Sequence, residues 1–488
     1  MEVSISLKEA KKIVTTGEYN VIPISTEILS DFITPIEAMQ KLKNVSSHCY
    51  MLESAKANES WGRYTFLGYD PVMDITCVDG KMKAGDLTLE TKDPSSVIRQ
   101  VLSNYKSPRF DYLPPFTGGL VGYFSYEYLG YSEPTVRCDV EDEENFKDVD
   151  LMLFDKVIAF DYVKQKIVLI ANISTKDVET GYNKALLELR QLKDLLKNGK
   201  KREEPGGKIK GEITGLFSKE QFCEMVEKGK NYIKEGDIFQ IVLSNRLSAP
   251  FEGSLLNTYR VLRTINPSPY MFYFSGTDVE VAGASPETLV KLEIGVLHTF
   301  PLAGTRPRGR NDSEDKMLEA ELLADEKELA EHNMLVDLGR NDLGKISKFG
   351  TVEVESLHTI EKFSHVMHIG STVRGRIGNS YDALDAIEAV LPAGTLSGAP
   401  KIRACQLIGE LENNKRGIYG GAIGYVAFNG DMDTCIAIRI AYKKNGKVFV
   451  RSGAGIVADS VPEKEYEECL NKARSSLKAL ELAQEEDL

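Results

Sequence analysis

The sequence lacks several features that would assign the protein to a class at once. Its seven cysteines are scattered and form no Cys-x-x-Cys pair, which argues against a disulfide framework or a thiolate zinc site and favours reduced thiols. No apolar run approaches the length needed to span a bilayer, and residues 1–16 lack the apolar core of a signal peptide. We therefore predict a cytoplasmic protein that does not interact with membranes.

Basic charge is also scarce. The 488 residues carry a net charge of −13, which argues against the broad basic footprint that nucleic-acid binding requires. The sequence contains no Walker loop, and no Gly-x-Gly-x-x-Gly lies between a predicted strand and a helix, so nucleotide binding is not indicated. An acidic protein that binds an anion must gather positive charge locally, from arginine, lysine or a metal ion.

What the sequence does contain is two Glu-x-x-Glu pairs on predicted helices. The pairs are Glu328/Glu331 and Glu465/Glu468, and Lys472 follows the second pair by one helical turn. Residues three apart share one face of a helix, so each pair directs its carboxylates the same way. Taken alone, such a pair is most often a solvated helix surface. If the fold brings the two faces together, the four repelling carboxylates need a hard cation, and their oxygen ligands suit Mg²⁺.

The order of predicted elements indicates an α+β fold with largely antiparallel sheets. A charged segment that contains glycine and proline, 201–214, has no apolar periodicity and is predicted to be a linker. It divides the chain into an amino-terminal part, 1–200, and a carboxyl-terminal part, 215–488. The main predicted helices are 177–197, 218–236, 313–338 and one from Pro462, and the main strands are 157–162, 166–173, 238–243, 420–428, 434–442 and 447–451.

Glycine-rich segments provide candidate anion sites. Residues 301–309 combine glycine, threonine and two arginines in a predicted loop, where arginine offers a fork for a carboxylate, although an ordinary basic turn is the alternative. Residues 392–401 form a second predicted loop, and Ser-Gly-Ala-Gly at 452–455 is predicted to be a turn that presents N–H groups to an anion. Arg439 ends a predicted strand. His368 is either a general acid or base or a buried structural histidine.

Six of these segments occur in an order that resembles the chorismate-utilising enzymes. The segments are 301–309, 328–343, 363–375, 392–404, 420–439 and 453–472. The resemblance runs from about Gly215 to Ala479, and the amino-terminal third adds matches at 52–54, 63–68 and 118–123. It implies antiparallel sheets packed in a sandwich and flanked by helices. It also implies a catalytic domain at 215–488 and a regulatory region at 1–200 that packs on the catalytic part and contacts a glutaminase.

The resemblance implies roles for individual residues. Glu331 and Glu468 would bind Mg²⁺ directly, and Glu328 and Glu465 would complete the acidic site through water or by proton transfer. The residues that would hold chorismate are Gly304, Thr305, Tyr425, Arg439, Gly453, Ala454 and Gly455. The residues that would take part in catalysis are Glu328, His368, Thr395 and Lys472. Glu328 is the candidate general acid for loss of the C4 hydroxyl, and His368 is a candidate participant in pyruvate elimination.

Two positions and one absence define the expected branch of this family. Relatives that form aminodeoxychorismate typically carry lysine at the position of Ala303, and relatives that add water carry lysine at the position of Gln240. Neither lysine is present, which points to the branch that converts chorismate and ammonia to anthranilate and pyruvate. Nothing in the sequence resembles a glutamine amidotransferase, so ammonia is expected from a separate glutamine amidotransferase subunit or from solution.

The resemblance further implies feedback inhibition by L-tryptophan. Ser54, Pro269, Tyr270 and Met271 match motifs of the inhibitor site, while Met51 replaces a leucine common in the family. Three other functions stay open: an aminodeoxychorismate-forming subunit without the usual lysine, a non-catalytic protein that binds chorismate or tryptophan, and a generic Mg²⁺-dependent hydrolase. The intact glutamates argue against the binding protein, and the six ordered motifs argue against the hydrolase.

Overall fold

The computed structural model describes residues 2–54, 62–136, 140–363 and 366–484. Within these ranges the chain forms twelve α-helices and twenty-five strands. The helices are α1 Leu7–Val14, α2 Pro35–Val45, α3 Pro94–Leu102, α4 Leu129–Ser132, α5 Val178–Asn198, α6 Lys219–Glu235, α7 Leu256–Ile265, α8 Asp312–Ala324, α9 Glu326–Gly344, α10 Ala383–Val390, α11 Lys401–Glu412 and α12 Pro462–Leu482. Among the residues in these ranges, no helix combines the length and apolar character that crossing a membrane requires.

The strands of the amino-terminal part alternate with few helices. They are β1 Val21–Leu29, β2 Cys49–Glu53, β3 Tyr64–Tyr69, β4 Met73–Val78, β5 Lys81–Ala84, β6 Leu87–Glu90, β7 Gly119–Phe124, β8 Val149–Phe154, β9 Lys156–Asp161 and β10 Lys166–Ser174. The remaining strands are β11 Lys208–Ile209, β12 Thr214–Gly215, β13 Gln240–Glu252, β14 Tyr270–Ser275, β15 Glu280–Ser285, β16 Thr288–Glu293, β17 Val296–Thr299, β18 Leu302–Pro307, β19 Glu353–Lys362, β20 Val366–Arg376, β21 Gly398–Ala399, β22 Ala422–Ala427, β23 Met432–Ile436, β24 Ile440–Lys444 and β25 Lys447–Ile456.

These strands form two large antiparallel sheets. The first has the order β1-β10-β9-β3-β2-β14-β15-β24-β25-β13-β11, and β12 and β21 also pair with β13. The second has the order β18-β20-β17-β16-β23-β22-β7-β8-β4-β5-β6, and β19 also pairs with β20. The predicted α+β class with antiparallel sheets is therefore confirmed.

The two sheets pack face to face over an aromatic core, and helices cover their outer faces. Tyr50 on β2 and Phe154 on β8 meet across this core with their ring centroids 4.7 Å apart. Helices α1, α2, α5, α7 and α12 share a buried apolar cluster with the first sheet, while α3, α9 and α10 do so with the second. Alternating side chains of a strand such as β10 supply the outer apolar cluster of its sheet and the core between the sheets, because successive residues point to opposite faces. The predicted sandwich flanked by helices is confirmed.

Local signals placed several helices correctly. The Ser218 hydroxyl accepts from the N–H of Gln221 in a capping box at the start of α6, and Gly236 ends that helix at φ +86°. The predicted helix at 313–338 is instead two helices, α8 and α9, that meet at Asp325. The carboxylate of Asp325 accepts from the first N–H groups of α9, so this residue begins a new helix rather than continuing the old one.

The predicted boundary at 201–214 does not separate two folding units. β2 pairs with β14, and β7 pairs with β22, so strands from both sides of the boundary are adjacent in both sheets. The segment itself supplies β11 and β12, which pair with β13. The regulatory and glutaminase-contacting roles of residues 1–200 stay predictions.

Candidate active site

A cavity of about 600 Å³ lies between α9, which packs on β18 and β20, and α12, which packs on β25. We name it the acidic cavity. The predicted site residues in its wall are Gly304, Thr305, Glu328, Glu331, His368, Thr395, Arg439, Gly453, Gly455, Glu465, Glu468 and Lys472. Ala454 is fully buried in the neighbouring apolar cluster. The fold thus gathers residues that are more than 160 positions apart in the sequence.

The four glutamates line this cavity from two helices, as predicted. Glu328 and Glu331 lie on α9, and Glu465 and Glu468 lie on α12. Burial raises the pKa of Glu328, and the nearby Glu331 carboxylate raises it further. Burial likewise raises the pKa of Glu465, and the Glu468 carboxylate acts in the same direction. Each pair therefore holds mutually repelling acids in the cavity wall.

Positive charge offsets part of this repulsion. The Nζ of Lys472 lies 2.6 Å from the Oε1 of Glu468 on the same helix. Lys327 on α9 lowers the pKa of Glu465 on α12, so the charges of the two helices interact across the cavity. In the part of the chain that the structure describes, no three His, Cys, Asp or Glu side chains stand close enough together to hold a metal ion.

Gly304 and His368 form the side of the cavity that belongs to the second sheet. Gly304 has φ +69°, and an added Cβ would lie 3.1 Å from the Oε2 of Glu328, so both backbone and space favour glycine. The Nδ1 of His368 lies 2.8 Å from the carbonyl oxygen of Gly304. Because a carbonyl only accepts, Nδ1 donates and Nε2 of the neutral ring is the basic nitrogen. Burial lowers the pKa of His368, which favours this neutral form.

The segment 301–309 is not the loop that was predicted. Most of it is strand β18, with a β-bulge where it pairs with β20. Arg306 donates to Asp325 at 2.8 Å, and Arg308 donates to Asp315 at 2.6 Å. The two guanidinium forks are therefore occupied by carboxylates of the protein itself rather than free for a substrate.

The glycines at 452–455 lie within strand β25, so the predicted turn is wrong. Pairing with β13, which lies about two hundred residues earlier, extends this segment. An added Cβ on Gly453 would lie 2.6 Å from the carbonyl oxygen of Leu243, and one on Gly455 would lie 2.7 Å from the Nε2 of Gln240. These glycines are required for close approach to β13 and its side chains, which is a different reason from the one predicted.

Arg439 interrupts the predicted strand 434–442. It lies between β23 and β24 at φ +55°, in the left-handed region that costs a non-glycine residue about 1–3 kcal/mol. Its Nη1 donates to the carbonyl oxygen of Lys472 at 2.8 Å. Burial lowers the pKa of Arg439, while the carboxylates of Glu287 and Glu468 act in the opposite direction. The strained backbone thus places a guanidinium in the cavity wall, within the electrostatic influence of Glu287 and Glu468.

Glu287 is a cavity residue that the sequence patterns did not reveal. It is contributed by the turn between β15 and β16, and its Oε2 accepts from the Thr395 hydroxyl at 3.0 Å. Burial raises the pKa of Glu287, while the bond from Thr395 and the charges of Arg439 and Lys472 oppose that shift. A carboxyl group of this kind is a candidate proton donor. Its one sequence signal, an acid directly after Ser-Pro, is too common to single it out.

A second cavity, of about 460 Å³, opens between the two sheets. We name it the aromatic cavity. The wall contains the four residues predicted for tryptophan, together with five aromatic or charged neighbours used below: Ser54, Pro269, Tyr270, Met271, Arg109, Lys291, Glu293, Tyr425 and Asp433. The structure thus brings the predicted inhibitor residues together. Whether they bind tryptophan stays a prediction.

The structure corrects the placement of Tyr425. This residue was predicted to hold substrate beside Arg439, but it lies in the wall of the aromatic cavity. Strand β22 turns the side chain toward the core between the sheets, where its ring centroid lies 4.5 Å from that of Phe116. Successive side chains of a strand point to opposite faces of the sheet, and the motif match did not show on which face Tyr425 lies.

Comparisons with known proteins agree with this geometry. The family model described as "chorismate binding enzyme" matches residues 47–478. The chain is 46% identical to anthranilate synthase component 1 of Aquifex aeolicus over 99% of both chains. It is 45% identical to the protein of that name from Acetivibrio thermocellus over 98% of this chain and 99% of the relative. The crystal structure of anthranilate synthase component I from Streptococcus pneumoniae aligns with a TM-score of 0.76 at 36% identity, covering 92% of this chain and 98% of that chain.

Proposed function

Because the chain belongs to the family of chorismate-binding enzymes, we propose that it converts chorismate and ammonia to anthranilate, pyruvate and water. One observation carries the proposal: two acidic helices, a neutral histidine and a strained arginine line one cavity. Its volume of about 600 Å³ lies in the range of small-molecule sites. The named relatives, anthranilate synthase component 1, support the choice of reaction.

Two wall positions favour this reaction over those of other family branches. Ala303 and Gln240 both line the acidic cavity. Lysine at the first position would place an amine in the cavity as a nucleophile, and lysine at the second would place a base there to activate water. A methyl group and a neutral amide provide neither. Because these two positions provide neither a nucleophile nor a base, we expect external ammonia to be the nucleophile.

We propose Mg²⁺ as the cofactor, held by Glu331 and Glu468 with Glu328 and Glu465 beside them. Carboxylate oxygens are the ligands this ion prefers. Burial raises the pKa of Glu328 and Glu465, and the carboxylate repulsion that adds to this shift is what a cation would relieve. To bind the ion, α9 and α12 must bring these carboxylates closer together, because no three such side chains among the described residues are near enough to one another to hold a metal. When bound, the ion would supply positive charge for a substrate carboxylate.

The chain's own groups would move the protons. Loss of the C4 hydroxyl needs an acid, because hydroxide is a poor leaving group, and Glu328 and Glu287 both have a raised pKa. Release of pyruvate and formation of the aromatic ring need a base for the proton at C2. The Nε2 of His368 is suited to that role because its ring is neutral. Arg439 offers two parallel donors for the enolpyruvyl carboxylate.

We further propose a heteromeric enzyme under feedback control. The sequence shows no glutaminase motif, and the relatives are named as a first component, so a separate glutamine amidotransferase would deliver ammonia. L-tryptophan would occupy the aromatic cavity, where Ser54, Pro269, Tyr270 and Met271 meet. We propose the cytoplasm as the site of action, where the reduced thiols predicted from the scattered cysteines would persist.

An assay of nitrogen sources tests this proposal. The purified chain should form fluorescent anthranilate from chorismate, Mg²⁺ and ammonium, and should form none when glutamine replaces ammonium. Accumulation of a non-aromatic amine would instead favour the aminodeoxychorismate-forming alternative. Turnover with glutamine alone would contradict the need for a separate subunit, and binding of chorismate without turnover would favour the non-catalytic reading.

A further inference from the structure

Two chain segments connect the acidic cavity to the aromatic cavity. The first runs from Ser285 to Thr288 at the turn between β15 and β16. The second runs from Asp433 to Arg439 along β23 and beyond its end. Asp433 lines the aromatic cavity, while Glu287 and Arg439 line the acidic cavity. The second segment therefore meets both cavities within a few residues, and the first lines the acidic cavity at Glu287 and contacts Tyr270, in the wall of the aromatic cavity, through Thr288.

At the aromatic end, three side chains form a hydrogen-bonded group. The Tyr270 hydroxyl donates to the Oδ1 of Asp433 at 2.7 Å, and it lies 2.9 Å from the Oγ1 of Thr288. The Tyr270 hydroxyl has a single proton, which goes to the carboxylate, so Thr288 donates to the Tyr270 oxygen. Thr288 is buried and starts β16 at a bulge in its pairing with β23. Tyr270, in the wall of the aromatic cavity, thus hydrogen-bonds to one residue of each segment.

The two segments are also bonded to each other on the way to the acidic cavity. The N–H of Ile436 donates to the carbonyl oxygen of Glu287 at 3.0 Å, and the Ser285 hydroxyl donates to the carbonyl oxygen of Ile436 at 2.7 Å. The N–H of Ala284 donates to the carbonyl oxygen of Arg439 at 3.1 Å. A displacement of one segment must therefore move the other or break these bonds.

We propose that Thr288 is a positioning residue that couples occupancy of the aromatic cavity to the placement of Glu287 and Arg439 in the acidic cavity. The inference rests on the proposed function, since it takes tryptophan as the occupant. A ligand that contacts Tyr270 shifts its hydroxyl, and the Thr288 bond passes that shift to the adjacent Glu287. Two groups in the acidic cavity can then respond. They are the Glu287 carboxylate, which accepts from Thr395, and Arg439, whose backbone is strained.

Linkage makes this coupling measurable. If tryptophan weakens chorismate binding through this group, chorismate must weaken tryptophan binding by the same factor. Thr288→Val removes the hydroxyl and keeps the shape of the side chain. We expect it to bind tryptophan as the wild type does in the absence of chorismate, by calorimetry. We also expect saturating tryptophan to raise the KM for chorismate about tenfold less than it does in the wild type, within the usual range of allosteric coupling.

Matched variants separate coupling from simple loss of structure. Thr434→Val makes the same change one strand away, where the hydroxyl donates to the carbonyl oxygen of Val290 at 2.8 Å, and it should leave inhibition unchanged. Thr288→Ser keeps the donor and should restore wild-type inhibition. The proposal is overturned if Thr288→Val is inhibited like the wild type, or if its inhibition and its tryptophan binding weaken equally.

Failure of the proposed function would give a different result. A wild-type chain that forms anthranilate but binds no tryptophan would overturn the coupling and the regulatory role together, and the catalytic role would stand. A wild-type chain that binds tryptophan but forms no anthranilate would overturn the catalytic role. In that case, calorimetry of tryptophan with and without chorismate would still show whether Thr288→Val removes the coupling.

Discussion

The acidic cavity and the aromatic cavity are built around the same two sheets, but different elements and different kinds of side chains line them. The acidic cavity takes its two glutamate pairs from two helices that lie on different sheets. The aromatic cavity takes its wall mainly from strands that face each other across the sandwich. The residues proposed to move protons thus lie at the margin of the fold, and the residues proposed to bind an apolar ring lie inside it.

Their charges differ in the same way. In the aromatic cavity, Glu293 is bound by Lys291 at 2.9 Å and by Arg109 at 3.2 Å. In the acidic cavity, Glu328 and Glu465 instead have pKa values raised by burial and by a neighbouring carboxylate. Paired charges stabilise a binding wall, whereas repulsion that is only partly offset prepares a wall for a cation or a proton. The comparison predicts that a substitution in one cavity leaves the function of the other intact as long as no tryptophan is bound, since the proposed coupling through Thr288 acts only when the aromatic cavity is occupied.

The largest expected effect comes from Glu468→Gln. The substitution keeps the size of the side chain and removes a carboxylate that we propose as a direct Mg²⁺ ligand, so kcat should fall by at least about a thousandfold. Steady-state assays over a range of Mg²⁺ concentrations measure this loss, and tryptophan binding should not change.

Glu467→Gln provides the control for that variant. Glu467 is exposed one position earlier on α12, outside the wall of the acidic cavity, and its substitution should have no effect. Retained turnover in Glu468→Gln with unchanged Mg²⁺ dependence would show that the metal assignment is wrong.

A smaller loss is expected for His368→Gln, which removes the proposed base and should lower kcat about a hundredfold. Because burial lowers the pKa of His368 below its usual value of 6.5, the neutral base persists as pH falls. The wild-type rate should therefore hold through pH 6.5 and decline only at lower pH, as protonation removes the base. The pH profile of kcat measures this limb.

His298→Gln serves as the matched histidine control. His298 stacks on Phe300, with ring centroids 6.0 Å apart, and it does not line the acidic cavity. Its substitution should leave the pH profile in place. If His368→Gln keeps the wild-type acid limb, another group carries the proton.

Gly304→Ala should have an intermediate effect and can be compared with Gly430→Ala. Both positions have positive φ, at +69° and +88°, so each alanine should lower the free energy of unfolding by about 1 kcal/mol. Only the Gly304 variant adds a methyl group next to Glu328, and it should lower kcat about tenfold by displacing that carboxyl group. Equal kcat values in the two variants would contradict a role for this close approach.

The smallest effect is expected for Tyr425→Leu, which tests where this residue acts. Loss of an aromatic contact worth about 1 kcal/mol should weaken tryptophan binding about fivefold. The KM for chorismate should stay at its wild-type value, because Tyr425 lies in the aromatic cavity. A several-fold rise in KM with unchanged tryptophan binding would return Tyr425 to the substrate site.

The residues that the sequence placed well are those with a local signal. Paired glutamates at helical spacing, the Ser218 cap and the start of α12 at Pro462 depend on contacts within a few positions. Glu287 was missed because its partner, Thr395, lies 108 residues away. The interruption of the predicted strand at Arg439 and the inclusion of 452–455 in strand β25 likewise depend on pairing between distant strands.

Isotope-labelled turnover tests the central claim most directly. The purified wild-type chain is incubated with chorismate, Mg²⁺ and ¹⁵N-ammonium, and the products are identified by mass spectrometry. We predict ¹⁵N in anthranilate and one pyruvate released per anthranilate formed. Chorismate left unchanged, or ¹⁵N in a non-aromatic amine that accumulates without pyruvate, would contradict the assignment of the acidic cavity.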